Sequence, residues 1–343
     1  MIYFSAIIFT LICSSLICFV ANKLNIVDSP DGVRKVHKGN IALGGGLCLF
    51  LPLILCFSLF PEFSSSVSEV IKVICLCSLF ILFLGLADDI HPLPISIRLI
   101  VQIIASWLII IITDLYVKDL GDLFGLGNIY LGELGIPITI FMVVGVTNAF
   151  NMLDGMDGLV SLVALVCFSC VSILSYFSDT SSVEFNLISL ILLIFLFFNL
   201  GLFKREWKIF LGDSGAMWIG FLISWTLIYL SGDQDKIIEP VSALWIILLP
   251  LIDALSTFIE RVKAGKPIFS GDRAHIHHLL LAAGFKKWKV LVLILFITFL
   301  SCSFIIFTTF YTIKEYYLFY GFLTLWLFYY LLLKYPLSKN ISS

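Results

Sequence analysis

The chain reads as an all-α, polytopic membrane protein of about eleven transmembrane helices, and three observations carry that reading. Hydrophobic residues make up 60% of the 343, charged residues only 13%, and the mean hydropathy is +1.09, a balance outside the range of soluble globular domains. Apolar stretches near the length of about 20 residues that a bilayer requires recur from end to end. Between them, basic residues collect in every second loop.

The expected spans lie near 1–21, 44–60, 70–86, 97–113, 136–149, 160–177, 186–203, 211–230, 241–259, 288–310 and 316–333. The first starts at Met1 with neither a basic n-region nor a small-residue cleavage site, so it is expected to be an anchor. The second follows Gly44-Gly45-Gly46, and the third runs into Asp88-Asp89. The fifth is short for a bilayer; it is expected to be buried among neighbouring helices and to break where the polar residues begin. The sixth starts near Leu159, and the eighth opens on Gly212-Asp213-Ser214-Gly215. The ninth carries Asp253, an acid well inside a span near its inner end. No linker is long enough to separate domains, so 1–343 is one membrane domain, with 260–288 as its longest internal loop.

Charge orients the spans. One set of loops holds 17 of the 21 Lys and Arg residues, whereas the other holds Lys72, Lys118, Lys236 and Lys314 among twelve acids. The positive-inside rule places the first set in the cytoplasm, the N-terminus outside and the C-terminus inside. The net charge of −2 therefore conceals a basic inner face suited to anionic lipid or nucleotide substrates. Of the nine cysteines, Cys167-x-x-Cys170 and Cys75-x-Cys77 look like motifs, but both lie inside apolar spans without nearby basic or His residues and read as small apolar filler.

Polar clusters on that inner side carry the functional signal. Asn148-Ala-Phe-Asn151-Met-Leu-Asp154-Gly155-Met-Asp157-Gly158 places carboxylates, carboxamides and glycines between apolar segments. Each Asp at a membrane-helix centre would cost roughly 2.5–3.5 kcal/mol on insertion scales. Hard oxygen donors beside pliable backbone suit Mg²⁺ or Mn²⁺ and a phosphate. Polar positions three apart drift by roughly 180° over four residues on an α-helix, so a helix break is expected to let them converge. Asp157 has the simpler alternative of capping the next helix.

Asp88 and Asp89 stand at a helix C-terminus, where the macrodipole disfavours acids and Lys would be the cheaper choice. Asp213 heads a helix and reads either as a cap or as a metal ligand. The loop after the first span carries Arg34, Lys35 and His37, a topology signal or a phosphate contact. In the internal loop, three of the five histidines cluster as His275, His277 and His278. Asp272 could cap a short helix ended by Gly284, with Ile276, Leu279, Leu280 and Ala283 as its apolar stripe. His275 and His278 would then share another face and point into a cleft; zinc would need further ligands that are absent here.

These blocks, in this order, resemble the polyprenyl-phosphate N-acetylhexosamine-1-phosphate transferases over most of the chain. The stretches NAFNMLDGMDGL (148–159) and FLGDSG (210–215) carry the resemblance, and PIFSGDRAHIHHLLLAAGF (267–285) is similar to the branch that uses UDP-N-acetylglucosamine. Two departures stand out. The family's acidic pair usually reads DDxxD, but no third acid follows Asp88-Asp89 at that register, and Ala42 replaces the proline of an HxGxxP pattern.

The resemblance implies transfer of N-acetylglucosamine-1-phosphate from UDP-GlcNAc to undecaprenyl phosphate, with release of UMP, at the start of a lipid-linked glycan such as O-antigen or enterobacterial common antigen. It places Mg²⁺ or Mn²⁺ on Asn151 and Asp213, and makes Asp88 the group that deprotonates or aligns the lipid phosphate. Asp89, Asp154 and Asp157 would orient metal or nucleotide. His275, His277, His278 and Arg261 would grip the donor, with 260–288 as the donor-binding loop, while Arg34 and Lys35 are candidates for the lipid phosphate. The implied partners are the UDP-sugar, undecaprenyl phosphate and membrane lipids, with a homodimer as the candidate assembly and no nucleic acid. The implied location is the bacterial cytoplasmic (inner) membrane. Another UDP-HexNAc donor is the nearest alternative. An ion-coupled transporter is a distant one, because such sites sit near the bilayer midplane.

Overall fold

Backbone amides in an apolar setting have no water to bond, so apolar runs close their hydrogen bonds internally as helices. The computed structural model, which describes residues 1–29, 39–232, 236–267, 274–311 and 313–337, follows that rule. Its helices are α1 (Ile2–Lys23), α2 (Gly45–Leu59), α3 (Pro61–Ser66), α4 (Glu69–Ile90), α5 (Ile95–Thr113), α6 (Gly135–Leu153), α7 (Leu159–Phe177), α8 (Val183–Asn199), α9 (Gly212–Ser231), α10 (Pro240–Ile246), α11 (Leu248–Lys263), α12 (Ile276–Ala282), α13 (Lys287–Thr308) and α14 (Glu315–Phe328), which passes into a π-helical stretch, Tyr329–Lys334. Two short strands, β1 (Val27–Asp28) and β2 (Ile41–Ala42), pair antiparallel with Val27 opposite Ala42.

Each expected span corresponds to a helix. Among the described residues, eight are long and apolar enough to cross a membrane, or nine if the bent pair α10–α11 counts as one span. Helices α2 and α8, of 15 and 17 residues, fall short of that test.

Two expectations are corrected. The fifth span is not short: α6 continues through Asn148 and Asn151 to Leu153, and with the preceding turn forms a 22-residue span. The chain breaks only afterwards, at Asp154–Gly158, because 148–153 contains no glycine or proline to stop the helix earlier. The strongly broken helix is instead the ninth, bent by 86° between α10 and α11. That break lies among Trp245, Ile246, Ile247 and Leu248, all buried and apolar, with Cys167 and Ser301 donating to the Ile246 and Trp245 carbonyls.

Helix α9 is the hub. Its span is 89% buried against 17% for the C-terminal helix, which places α9 at the bundle centre and α14 at the apolar periphery. Helices α2, α4 and α6 pack closely around α9, and small residues permit it. At Gly85 of α4 a Cβ would lie 2.3 Å from Ser214 Cα, so only glycine allows this crossing. Gly45 and Gly46 of α2 meet the Leu211 and Ser214 backbones in the same way. The glycine run after the first loop therefore serves helix packing. Hydrogen bonds pin the register: Trp218 Nε1 donates to Ser78 Oγ (2.9 Å), and Asn148 Nδ2 to Gln102 Oε1 (2.7 Å). All nine cysteines are buried free thiols, as expected of filler.

Candidate active site

Packing α4 and α6 on the N-terminal end of α9 brings three helix ends together, and their polar residues with them. In the last turn of α4, Asp88 is buried and accepts from the Leu93 amide (2.6 Å) and from Arg98 of α5 (2.9 Å). It thereby ties the Pro-rich α4–α5 turn together. Asp89 reaches across to α9, accepting from the Asp213 amide (2.7 Å) and the Ser214 amide (3.2 Å). These are orphan amides of the first helical turn, and α9 has no side-chain cap of its own. Asp89 is thus the cap that Asp213 was a candidate to be, supplied from another helix. Two acids that the α4 macrodipole disfavours are each offset by donors from a neighbouring element.

Freed from capping, Asp213 turns its carboxylate toward α6, where Asn151 Nδ2 donates to it (2.7 Å). Asp88 and Arg98 also stand within electrostatic reach of Asp213. Asn148, one turn before Asn151, faces α5 and belongs to the packing layer beneath the site. Past the end of α6, Asp157 pairs with Lys208 (2.7 Å) and does not cap α7, whose N-terminal Gly158 amide is bonded by Asn199.

Asp154 has no side-chain hydrogen bond or ion pair among the described residues, while Asp213, Asp89 and Asp157 all repel it. The residue keeps some surface exposure, yet protein atoms crowd its carboxyl. Burial first, and those three acids second, hold the carboxyl well above the usual carboxylate range. Among the described residues, Asp88 and Asp157 are ion-paired, with Arg98 and Lys208, whereas Asp89, Asp154 and Asp213 crowd one another without such a pair, which concentrates negative charge. That charge and the all-oxygen donor set fit a hard divalent cation in chemistry. Among the described residues, no three His, Cys, Asp or Glu side chains yet enclose a point where an ion would sit.

The histidine segment closes over this loop. His277 is fully buried, its ring nitrogens have no hydrogen-bond partner among the described residues, and a Cβ on Gly155 would lie 2.0 Å from its Nε2. Burial, then the neighbouring His278, pushes the His277 pKa down to about 3, so the ring is neutral near pH 7. The His278 ring lies against it, centroid 4.1 Å away and tilted by 44°, and is half-buried. Arg261, buried at the end of α11, reaches Met152 with an N···S separation of 3.8 Å. Arg261, the histidine segment and the α6–α7 loop therefore share one place.

Other expectations for this segment differ from the structure. The short helix begins at Ile276 rather than after Asp272, which lies outside the described residues, and His275 is its N-cap residue. His275 does not turn toward the cleft with His278; its Nδ1 bonds Asp253 at 2.7 Å. The apolar stripe holds for Ile276, Leu279 and Leu280, but Ala283 is exposed. Arg34, Lys35 and His37 lie outside the described residues.

Arg98 and Lys208, read from the sequence only as topology signals, pair with Asp88 and Asp157 of the site. Arg98 had a usable signal, standing one short turn beyond an acidic pair that needed a cation. Lys208 had none, because its partner is 51 residues away.

Residues 71–231 match the model of the family described as "Glycosyl transferase family 4". Proteins named undecaprenyl-phosphate alpha-N-acetylglucosaminyl 1-phosphate transferase are similar over most of their length. The one from Haemophilus influenzae is 36% identical, covering 90% of this chain and 87% of its own. Those from Yersinia pestis (34%; 80% and 74%) and Salmonella typhi (32%; 84% and 78%) are similar likewise. Matches of that extent, together with an acidic, histidine-lidded site where α4, α6 and α9 meet, make this chain a member of glycosyl transferase family 4, a phospho-sugar transferase built into a membrane-helix bundle.

Proposed function

We propose that the protein transfers N-acetylglucosamine-1-phosphate from UDP-GlcNAc to undecaprenyl phosphate, releasing UMP. The observation that carries this reading is the direct contact of Asp213 with Asn151 amid Asp88, Asp89 and Asp154, in a chain whose relatives bear that activity in their names. The reaction takes place on the cytoplasmic face of the bacterial inner membrane. That placement needs eleven crossings, with α2 and α8 among them, and an external N-terminus. It is supported by the alternation of Lys and Arg along the chain.

In the transfer, an oxygen of the lipid phosphate forms a bond to the β-phosphorus of the donor while the bond to UMP breaks. Both reactants are anions, so holding them in line and offsetting charge matter more than a protein nucleophile. Asp88, fixed by Arg98 and the Leu93 amide, aligns the lipid phosphate or accepts its proton. Asp89 holds the head of α9, and through it Asp213, in place. Asp213 and Asn151 would hold Mg²⁺ or Mn²⁺, with Asp154 as the open carboxylate beside them, and the bound ion would supply positive charge to the diphosphate and departing UMP. Asp157 and Lys208 brace the loop. Neutral His277, together with His278 and Arg261, contacts the donor, and Arg34 and Lys35 receive the lipid headgroup.

Purified protein in lipid nanodiscs, given undecaprenyl phosphate, Mg²⁺ and a panel of UDP-HexNAc donors, tests this directly. UMP and a lipid-linked GlcNAc product are expected, each requiring both substrates. Preference for another UDP-HexNAc would change the donor while keeping the chemistry, and no UMP from any donor would refute the proposal.

A further inference from the structure

Asp253 takes no part in the chemistry above, yet among the described residues it is the most densely bonded acid. Its Oδ1 accepts from the Tyr329 hydroxyl (2.6 Å), Lys334 Nζ (2.6 Å) and the Ile276 amide (3.1 Å), and its Oδ2 accepts from His275 Nδ1 (2.7 Å). Lys334 also donates to the Asp253 carbonyl (2.8 Å) and to Thr257 Oγ1. Asp253, His275 and Lys334 are 2%, 3% and 0% exposed, so this is a desolvated charge network rather than a surface pair. Burying such charges is costly unless each is matched, and the donors gathered here match them.

The backbone explains how one peripheral helix supplies two of the donors. Tyr329 and Lys334 are five residues apart, which on an α-helix leaves their side chains about 140° apart. The π-helical stretch 329–334 widens the turn to an i→i+5 repeat and brings both onto Asp253. On the other side of Asp253 stands the start of α12. An acceptor at His275 Nδ1 fixes that nitrogen as the protonated one, and the bond to the Ile276 amide pins the first turn of the helix. The next residue is His277, packed on Gly155 of the acidic loop.

We infer that Asp253, Tyr329 and Lys334 are positioning residues for the donor: a buried charge network between α11 and the C-terminal π-turn sets the histidine segment against the acidic loop. This rests on the transferase reading for what the histidines bind. It also gives α14, otherwise at the periphery, a part in donor recognition.

The test uses full-length protein in nanodiscs, with Lys334→Met, Asp253→Asn, Tyr329→Phe and the double variant Asp253→Asn/Lys334→Met. The Lys334 and Asp253 single variants are expected to raise the UDP-GlcNAc KM about 10- to 100-fold while the undecaprenyl phosphate KM stays within about two-fold, with Tyr329→Phe changing less. The double variant leaves no orphan charge, so its thermal midpoint should recover toward wild type while its donor KM stays raised. Amides of 276–282 should exchange hydrogen at least about ten-fold faster in Asp253→Asn, because the Ile276 bond is lost. A donor KM that recovers with stability in the double variant, wild-type donor KM throughout, or unchanged amide exchange would each overturn the inference. A wild-type protein that turns over no UDP-sugar would instead refute the transferase reading, and the exchange measurement would still decide the positioning.

Discussion

Adding one methyl group at Gly155 should uncouple the histidine segment from the acidic loop. A Cβ there would sit 2.0 Å from His277 Nε2, and ordinary contact begins near 3.4 Å, so the ring must retreat by roughly 1.4 Å. His277 is fully buried, so a retreating ring must displace neighbouring protein atoms. Overpacking of this kind costs about 1–3 kcal/mol, and a displacement of about 1 Å in a positioning group costs up to about 100-fold in rate. Gly155→Ala is therefore expected to lower the thermal midpoint and to reduce kcat/KM for the UDP-sugar by one to two orders of magnitude, about 10- to 100-fold. A double-mutant cycle isolates the cause. In a His277→Ala background the methyl group has room, and the stability penalty of Gly155→Ala should fall below about 0.5 kcal/mol. Additive penalties, or a Gly155→Ala protein with unchanged midpoint and donor kinetics, would refute the claim that these residues are in contact.

Other outcomes follow from the same geometry. Asp213→Asn should abolish divalent-dependent transfer while the protein remains folded in the membrane, checked by titrating Mg²⁺ against UMP release. Arg98→Met leaves the buried Asp88 carboxylate without its cation; it should lower kcat more than either KM, with Arg98→Lys restoring part of the loss, as measured by steady-state kinetics with both substrates varied. His278→Ala should weaken UDP-sugar binding more than lipid binding, measured as separate KM values. His277 titrates near 6.5 when unfolded and at about 3 in the fold, so the unfolded chain binds the extra proton between those values. Its contribution to stability is therefore full above pH 6.5 and is lost as pH falls toward 3. The pH dependence of the thermal midpoint should flatten over that window in His277→Phe.

Much of the site was legible because its residues are costly where they stand. Acids at the ends of apolar helices at 88, 89, 154, 157 and 213 announce themselves against a background that is 60% hydrophobic, and three of them, Asp89, Asp157 and Asp213, stand in electrostatic contact with Asp154. What each acid does was not legible. Asp213 read as a cap or a metal ligand and Asp89 as a group that orients metal or nucleotide, and only the crossing of α4 on α9 at Gly85 makes Asp89 the cap. Helical spacing pairs His275 with His278 on one face, but His275 is drawn to the Asp253 carboxylate 22 residues back, and it is His277 that meets Gly155. The end of α6 was misplaced because polar residues were read as a break, although Asn148 and Asn151 remain helical with Gln102 and Asp213 as partners.

By itself, the sequence determined that this protein is a bundle of apolar helices with its chemistry at their ends, because insertion energy and backbone hydrogen bonding depend on local composition alone. Only the tertiary structure decided which helices touch, and hence which donor answers which acid. In an apolar environment the lipid-facing and protein-facing sides of a helix are equally hydrophobic, so no periodicity marks the contact face. Small residues such as Gly85 mark it instead, and their meaning emerges only once the partner backbone is in place.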